Sequence, residues 1–242
     1  MAVQAMPSRF HARYDIKSGI LTLGSADVSF CKLPDAAYLM AVRVHASGIF
    51  ALFYPGVIHE VSRGRLSTQG FEPTYHRYLR EGGRKHEDKQ MRFERAGAGA
   101  LVTAGKSTRP VPGDSLDRAI TPMQLIYELD NGRTRFQMHI VEGGKTKNFR
   151  ARVIGRESVK TSIGTFQALK VEVKSTDGGS RRLILWCAPR LGNMIVKAVQ
   201  EKSGDDLVEI VLANLSEAGW HRGTPAASDQ RNRVSSELGI LH

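Results

Sequence analysis

Cysteine is nearly absent: 242 residues contain two, Cys31 and Cys187. That is too few for a disulfide framework, and neither lies in a C-x-x-C or beside a metal-spaced histidine. Each falls inside a strand pattern and reads as a small buried apolar side chain; the alternative is one disulfide between them, which requires an oxidising compartment. Long apolar runs are missing too. The longest, Ile49-Phe-Ala-Leu-Phe-Tyr54, stops at Pro55-Gly56, far short of the roughly 20 residues of a membrane helix, so no transmembrane segment is expected. The Gly-Gly pairs beginning at Gly82, Gly143 and Gly178 have no Walker or dinucleotide fingerprint around them, and no G-x-S-x-G, H-x-H or H-E-x-x-H occurs. These gaps leave no cofactor, no metal site and no serine-hydrolase chemistry to expect. Acidic residues are also short, 24 against 35 Lys and Arg, for a net charge of +11 and a pI of about 9.9. Such a surface favours anionic surroundings: phospholipid head groups, acidic glycans or nucleic acid. The same charges also serve simply to keep outer strand faces soluble.

What the chain does have is β alternation. In Phe166-Gln-Ala-Leu-Lys-Val-Glu-Val-Lys174, Leu169, Val171 and Val173 fall on one face and Lys170, Glu172 and Lys174 on the other, the mark of a half-buried strand. Residues 160–215 read as four such strands in an antiparallel meander. Earlier strands are expected at residues 10–16, 20–23, 28–33 and 37–45, with glycine-centred breaks between them. Residues 49–54 fit a buried strand or a short helix equally well. The pattern stays β but turns polar and aromatic over 57–93, then loosens into an Ala/Gly stretch at 96–105 and a Pro-Gly loop at 110–113. A short helix is predicted from Thr121-Pro-Met-Gln124, with Thr121 at N-cap and Gln124 closing a capping box, ending before Gly132. Strands resume at 134–141 and 147–154. The fold class is thus all-β and mainly antiparallel, a curled sheet or incomplete barrel with one short helix, in a single domain over 10–215. The flanks are an N-terminal segment, 1–9, and a weakly ordered tail, 216–242. Ala2-Val-Gln-Ala5 has the small-x-x-small character of a signal-peptide end without the basic and apolar regions of one.

The chain resembles a bacterial exported family catalogued as domain of unknown function 3108. The likeness is carried by Phe10-x-x-x-Tyr14, by Ser67, Gly70, Pro73 and Tyr75, by Asp117-Arg-Ala-Ile-Thr121, by Gly164-x-Phe166-x-Ala168, and by Leu185-Trp186 ahead of the last two strands. It spans about residues 10–215 and implies a curled antiparallel sheet or incomplete barrel in a Gram-negative periplasm or outer envelope. It transfers no activity, and the run before the helix departs from the pattern expected there.

Groups capable of chemistry are scattered. His59-Glu60 cannot ligate one ion from a regular strand, because neighbours point to opposite faces, and His86-Glu87-Asp88 reads as a solvated hairpin end. Tyr75, Arg77 and Leu79 share one strand face, with His76, Tyr78 and Arg80 on the other. Aromatics interleaved with arginines suit sugars, phosphates or carboxylates, or else pack across strands. Ligand-binding candidates are therefore Tyr75, Arg77, Tyr78 and Trp186. Glu60 and Asp117 are the foremost catalytic candidates, with Asp88 and Glu157 behind them; Asp117 also suits backbone capping. The leading expectation is an envelope protein that binds an amphipathic or anionic molecule, a lipid, lipoprotein or glycan, on its curled sheet, with peripheral contact to an anionic membrane. The alternative is an envelope glycan-processing enzyme that uses carboxylate acid/base chemistry. Nucleic-acid binding through basic strands ranks third, and no nucleic-acid partner is expected.

Overall fold

Alternating burial builds the sheet from its first strand. In β1 (Arg9–Ser18) Phe10, Ala12 and Tyr14 turn inward, where they meet Phe30 of β2 (Leu21–Lys32) and Tyr38 and Met40 of β3 (Ala37–Ala46). The chain continues through β4 (Val57–Ser67), β5 (Gly70–Glu81), β6 (Glu87–Ala96), β7 (Gly99–Ala104) and β8 (Ser107–Pro112). A two-residue strand, β9 (Leu116–Asp117), leads into helix α1 (Thr121–Asp130). The second half comprises β10 (Arg135–Glu142), β11 (Lys145–Thr161), β12 (Gly164–Ser175), β13 (Arg181–Ala188), a 3-10 turn (Pro189–Leu191), β14 (Met194–Lys202) and β15 (Asp205–Ser216). This computed structural model describes residues 5–47, 51, 56–82, 86–178, 181–202 and 205–216. Apart from Ala51, the apolar run at 49–54 lies outside the described residues, as do 217–242 of the expected tail.

All fifteen strands form one sheet in the order β8-β7-β6-β5-β4-β3-β2-β1-β15-β14-β13-β12-β11-β10-β9. Every pairing is antiparallel except β9 with β10. Fourteen spacings of about 4.8 Å would separate the edges of a flat sheet by roughly 65 Å. The two edges, β8 and β9, are nevertheless consecutive in the chain, and the four Cα steps from Pro112 to Leu116 cover at most about 14 Å. The sheet is therefore curled until its edges nearly meet, yet no ladder joins β8 to β9. Packing bridges this seam instead. Val141 of β10 joins the cluster of Met91, Phe93, Ala100, Val102 and Val111, and a Cβ on Gly144 would lie only 3.3 Å from that of Ala104.

Helix α1 fills the interior. Met123, Leu125, Ile126 and Leu129 are buried, and so are its polar residues Gln124 and Glu128. Gln124 accepts the Phe71 N–H at 2.8 Å and donates to Glu128 at 2.8 Å. Phe71 stands edge-on to Tyr38 at 5.2 Å and to Tyr127 at 6.4 Å, and Phe10 stacks on Phe30 at 5.8 Å. Cys187 belongs to this core, whereas Cys31 packs with Leu39 and Val61 in a separate cluster.

The helix is where predicted but is not capped as predicted. Ile120 is the N-cap and makes no side-chain cap bond. Thr121 turns its hydroxyl back to the Asp117 carbonyl at 2.7 Å, and the Asp117 Oδ1 accepts the Ala119 and Ile120 N–H groups of the turn that leads into the helix at 2.9 and 3.0 Å. Two expected breaks are also continuous strand. Gly24 lies within β2 and Gly155 at a register shift in β11. The Ala/Gly and Pro-Gly stretches form the β7–β8 hairpin.

Candidate functional site

Register assembles a polar cluster on the inner face near the seam. Glu60 pairs with Tyr78 and Ser62 with His76 across β4 and β5, and Tyr78 pairs with Lys89 across β5 and β6, so these side chains share a face. The end of β9 brings Asp117 and Arg118 against them. His76 lies 3.3 Å from Glu60, and Arg118 clasps the same carboxylate through Nε and Nη2. Ser62 donates to Asp117 at 2.6 Å and meets the Tyr38 hydroxyl at 3.0 Å. Burial pushes the Glu60 carboxyl up, but the bonds from His76 and Arg118 outweigh it and hold it below its ordinary value. Burial dominates at Asp117 and raises it, against His76, Ser62 and the backbone N–H groups of Ala119 and Ile120. Above the cluster opens a cleft of about 990 Å³ between β6–β7 and β10, lined by Tyr78, Lys89, Arg118 and Glu142. Arg118 and Lys89 both lie over the Tyr78 ring, 5.2 and 5.8 Å from its centre.

The structure thus brings Glu60, Asp117 and Tyr78 together, places Asp88 on the wall of the same cleft, and separates Tyr75, Arg77, Glu157 and Trp186 from them. Tyr75 and Arg77 point to the opposite face of β5, where Arg77 makes a bidentate pair with Asp88 at 2.9 and 2.7 Å. That hydrogen-bonded pair lowers the Asp88 carboxyl. Trp186 lies on β13, its indole N–H donating to Glu157 at 2.8 Å and its ring flanked by Lys170 and Lys197. Among the described residues no group of three His, Cys, Asp or Glu is placed to hold a metal ion, and no helix is long and apolar enough to cross a membrane. Arg118 and Ser62 escaped the sequence reading, although Arg118 adjoins a flagged aspartate; only the register reveals them.

A second concavity, of about 1200 Å³, opens where the end of α1 meets β11, β12 and the 3-10 turn. Leu129, Val153, Phe166, Leu169 and Pro189 give it apolar walls. Arg133, Arg156 and Arg190 are its cations. Arg133 is matched by Glu128 at 3.2 Å; Arg156 and Arg190 are exposed and pair with no carboxylate among the described residues. Beside it the chain turns through Gly192 and Asn193, both at positive φ. Asn193 donates to Asp130 at 2.6 Å, and the other Asp130 oxygen accepts the Met6 N–H at 2.7 Å. The segment before β1 is thereby tied to the end of the helix. This groove has no linear signature, because its three arginines come from three separate connections or strands.

No curated protein matches the chain. Among solved structures, a β-barrel-like protein of the domain of unknown function DUF1849 from Brucella abortus superposes with a TM-score of 0.59 at 13% identity, covering 88% of this chain and 98% of the other. At that identity the likeness shows the fold alone. A protein with a YmcC-like fold from Bacteroides fragilis aligns over 88% of this chain and 97% of its own, with a TM-score of 0.36 and 11% identity. In sequence, residues 13–208 match a family profile, and the chain belongs to the family described as Protein of unknown function (DUF3108).

Proposed function

We propose that this is an envelope protein of a Gram-negative cell that binds an amphipathic anionic molecule, such as a lipid, the acyl end of a lipoprotein or a glycolipid, in the groove at the end of α1. The observation that carries the reading is the pairing of apolar walls with an arginine rim in one concavity. Each methylene removed from water there contributes about 0.8 kcal/mol. Arginine presents a planar fork that matches phosphate or carboxylate oxygens. The net charge of +11 works in the same direction at longer range. What the family resemblance implies supports placement in the envelope.

Native mass spectrometry on protein purified gently from its own source tests the reading. A co-purifying amphiphile that organic extraction removes is the expected result. A protein that carries nothing and takes up no anionic amphiphile added back would overturn it.

A second reading, glycan processing at the seam cleft, draws on Glu60 and Asp117, whose carboxyls are pushed in opposite directions, as acid/base pairs often are. Asp117 is wholly enclosed and spends three bonds on Ser62 and the backbone, which favours binding over catalysis. Loss of activity on envelope glycan in Glu60→Gln would reverse that preference.

A further inference from the structure

The groove's charges are unequally committed. Arg133 is held by Glu128, which is itself buried and bonded to Gln124, so that guanidinium is neutralised before any ligand arrives. Arg156 and Arg190 line the same concavity and have no ion pair among the described residues. Among the described residues no Asp, Glu, His or Lys lines it. The site therefore offers two unmatched positive charges beside walls of Leu129, Val153, Phe166 and Leu169. From this we infer that the ligand of the proposed binding site is an amphiphile with a phosphomonoester head, and that Arg156 and Arg190 are its specificity-determining residues. The inference rests on the binding reading above and sharpens it.

The chemistry follows from charge matching. A phosphomonoester carries about −1.5 to −2 charges at pH 7, with three strong acceptor oxygens. A phosphodiester or a carboxylate carries one charge and leaves one of the two arginines without a counter-ion. Guanidinium stays protonated throughout the accessible pH range, so two exposed arginines without an ion pair keep both charges available to an anionic head group seated against the walls. Two arginines on a dianion satisfy both sides; two arginines on a monoanion do not. Free inorganic phosphate shares the head-group chemistry but makes no use of the apolar walls.

Isothermal titration of the full-length protein with dihexanoyl phosphatidic acid, dihexanoyl phosphatidylglycerol and inorganic phosphate separates these possibilities. The acyl chains are alike in the first two, so the difference between them reports the head group. Phosphatidic acid is expected to bind at least about tenfold more tightly than phosphatidylglycerol, as one further charge pair in a partly screened groove implies, and inorganic phosphate more weakly than either. Arg156→Gln and Arg190→Gln should each bring phosphatidic acid down to the phosphatidylglycerol level, whereas Arg133→Gln, whose charge is already matched, should leave the preference in place. Arg156→Gln and Arg190→Gln are surface changes, whereas Arg133→Gln also removes the ion-pair partner of the buried Glu128 and is expected to lower thermal stability; an unchanged native circular dichroism spectrum verifies the fold of all three. Equal affinity for the two lipids overturns the phosphomonoester inference while the amphiphile reading stands. Phosphate binding as tightly as the lipids overturns the role of the walls. Binding of neither lipid overturns the proposed function itself.

Discussion

Asp117 ties together three parts of the local structure. It is fully buried, its Oδ1 accepts two N–H groups of the turn that leads into α1, and its Oδ2 accepts the Ser62 hydroxyl. It therefore locks β9 and the helix to β4 from across the interior. Asn keeps one oxygen for the two N–H groups and removes the buried charge, so Asp117→Asn is expected to stay within about 1 kcal/mol of the parent at pH 7. Ala removes the acceptor for all three donors and is expected to cost about 2–4 kcal/mol. The pH dependence has a definite sign. Because burial raises the Asp117 carboxyl above its ordinary 3.8, the native state holds this proton more tightly than the unfolded chain does. Stability linked to the group thus increases as pH falls through the raised value, and stops increasing below 3.8. Glu60, lowered from 4.5, acts oppositely, contributing stability above that value and losing it as pH falls further. It is present in both proteins, so the difference between parent and Asp117→Asn isolates Asp117. Urea unfolding at pH 7 and at steps down to pH 3.8 should find the parent gaining on the Asn variant as pH falls; a constant difference over the whole range would mean that Asp117 is not held protonation-sensitive by its burial.

At the scale of elements, β8 explains why the sheet ends where it does. Pro110 and Pro112 pair with Leu101 and Gly99 of β7, and a proline in a paired strand turns its donorless nitrogen away from the partner. The free edge lacks two donors, which blunts it against β9 and against other molecules. Replacing both prolines with Thr is expected to restore those donors and raise concentration-dependent self-association, measured by light scattering after size exclusion; a double variant as monodisperse as the parent would show that the prolines do not guard the edge. The same hairpin marks a limit of sequence reading. Ala, Gly and Pro are poor strand formers, so residues 96–113 look like loop, and only pairing with β6 makes them strand. Gly24 misleads in another way. It looks like a turn, but a Cβ there would lie 2.2 Å from the His45 carbonyl oxygen, as one on Gly64 would lie 2.0 Å from that of Glu72, so these glycines permit close approach of a neighbouring strand. By contrast Leu169, Val171 and Val173 alternate as their spacing demands, and α1 ends as its sequence implies although it begins one residue earlier, with Ile120 and not Thr121 at the N-cap. Local periodicity was legible; long-range pairing, which creates both the Glu60–Arg118 cluster and the arginine groove, was not.

The whole molecule has an order that its chain order conceals. Read from β9, the sheet runs β9 to β15, then β1 to β8, without interruption. Only the β1–β15 pairing, where His11 faces Ser216 and Lys17 faces Glu209, joins opposite ends of the sequence. That ladder lies in the middle of the sheet, and its closure is the most costly long-range step in folding. The short link at 113–115, in turn, connects two strands that share no hydrogen bonds. A circular permutant with His242 joined to Met1 and new ends opened between Gly113 and Asp114 would convert the entire sheet into a meander of sequence neighbours. Both native ends of the ladder are adjacent, the condition under which permutation is tolerated. The cost is loss of the tether between β8 and β9, which leaves the seam to the Ser62–Asp117 bond, the Glu60–Arg118 pair and the packing of Val141. Because lower contact order speeds folding, the permutant is expected to refold faster than the parent with the same far-ultraviolet circular dichroism and the same lipid affinity at the groove, which lies away from the seam. Refolding no faster than the parent would mean that β1–β15 closure is not the slow step. A permutant that folds yet opens at the seam, with Tyr78 and Met91 more accessible, would show that three residues of chain hold the edges where packing alone does not.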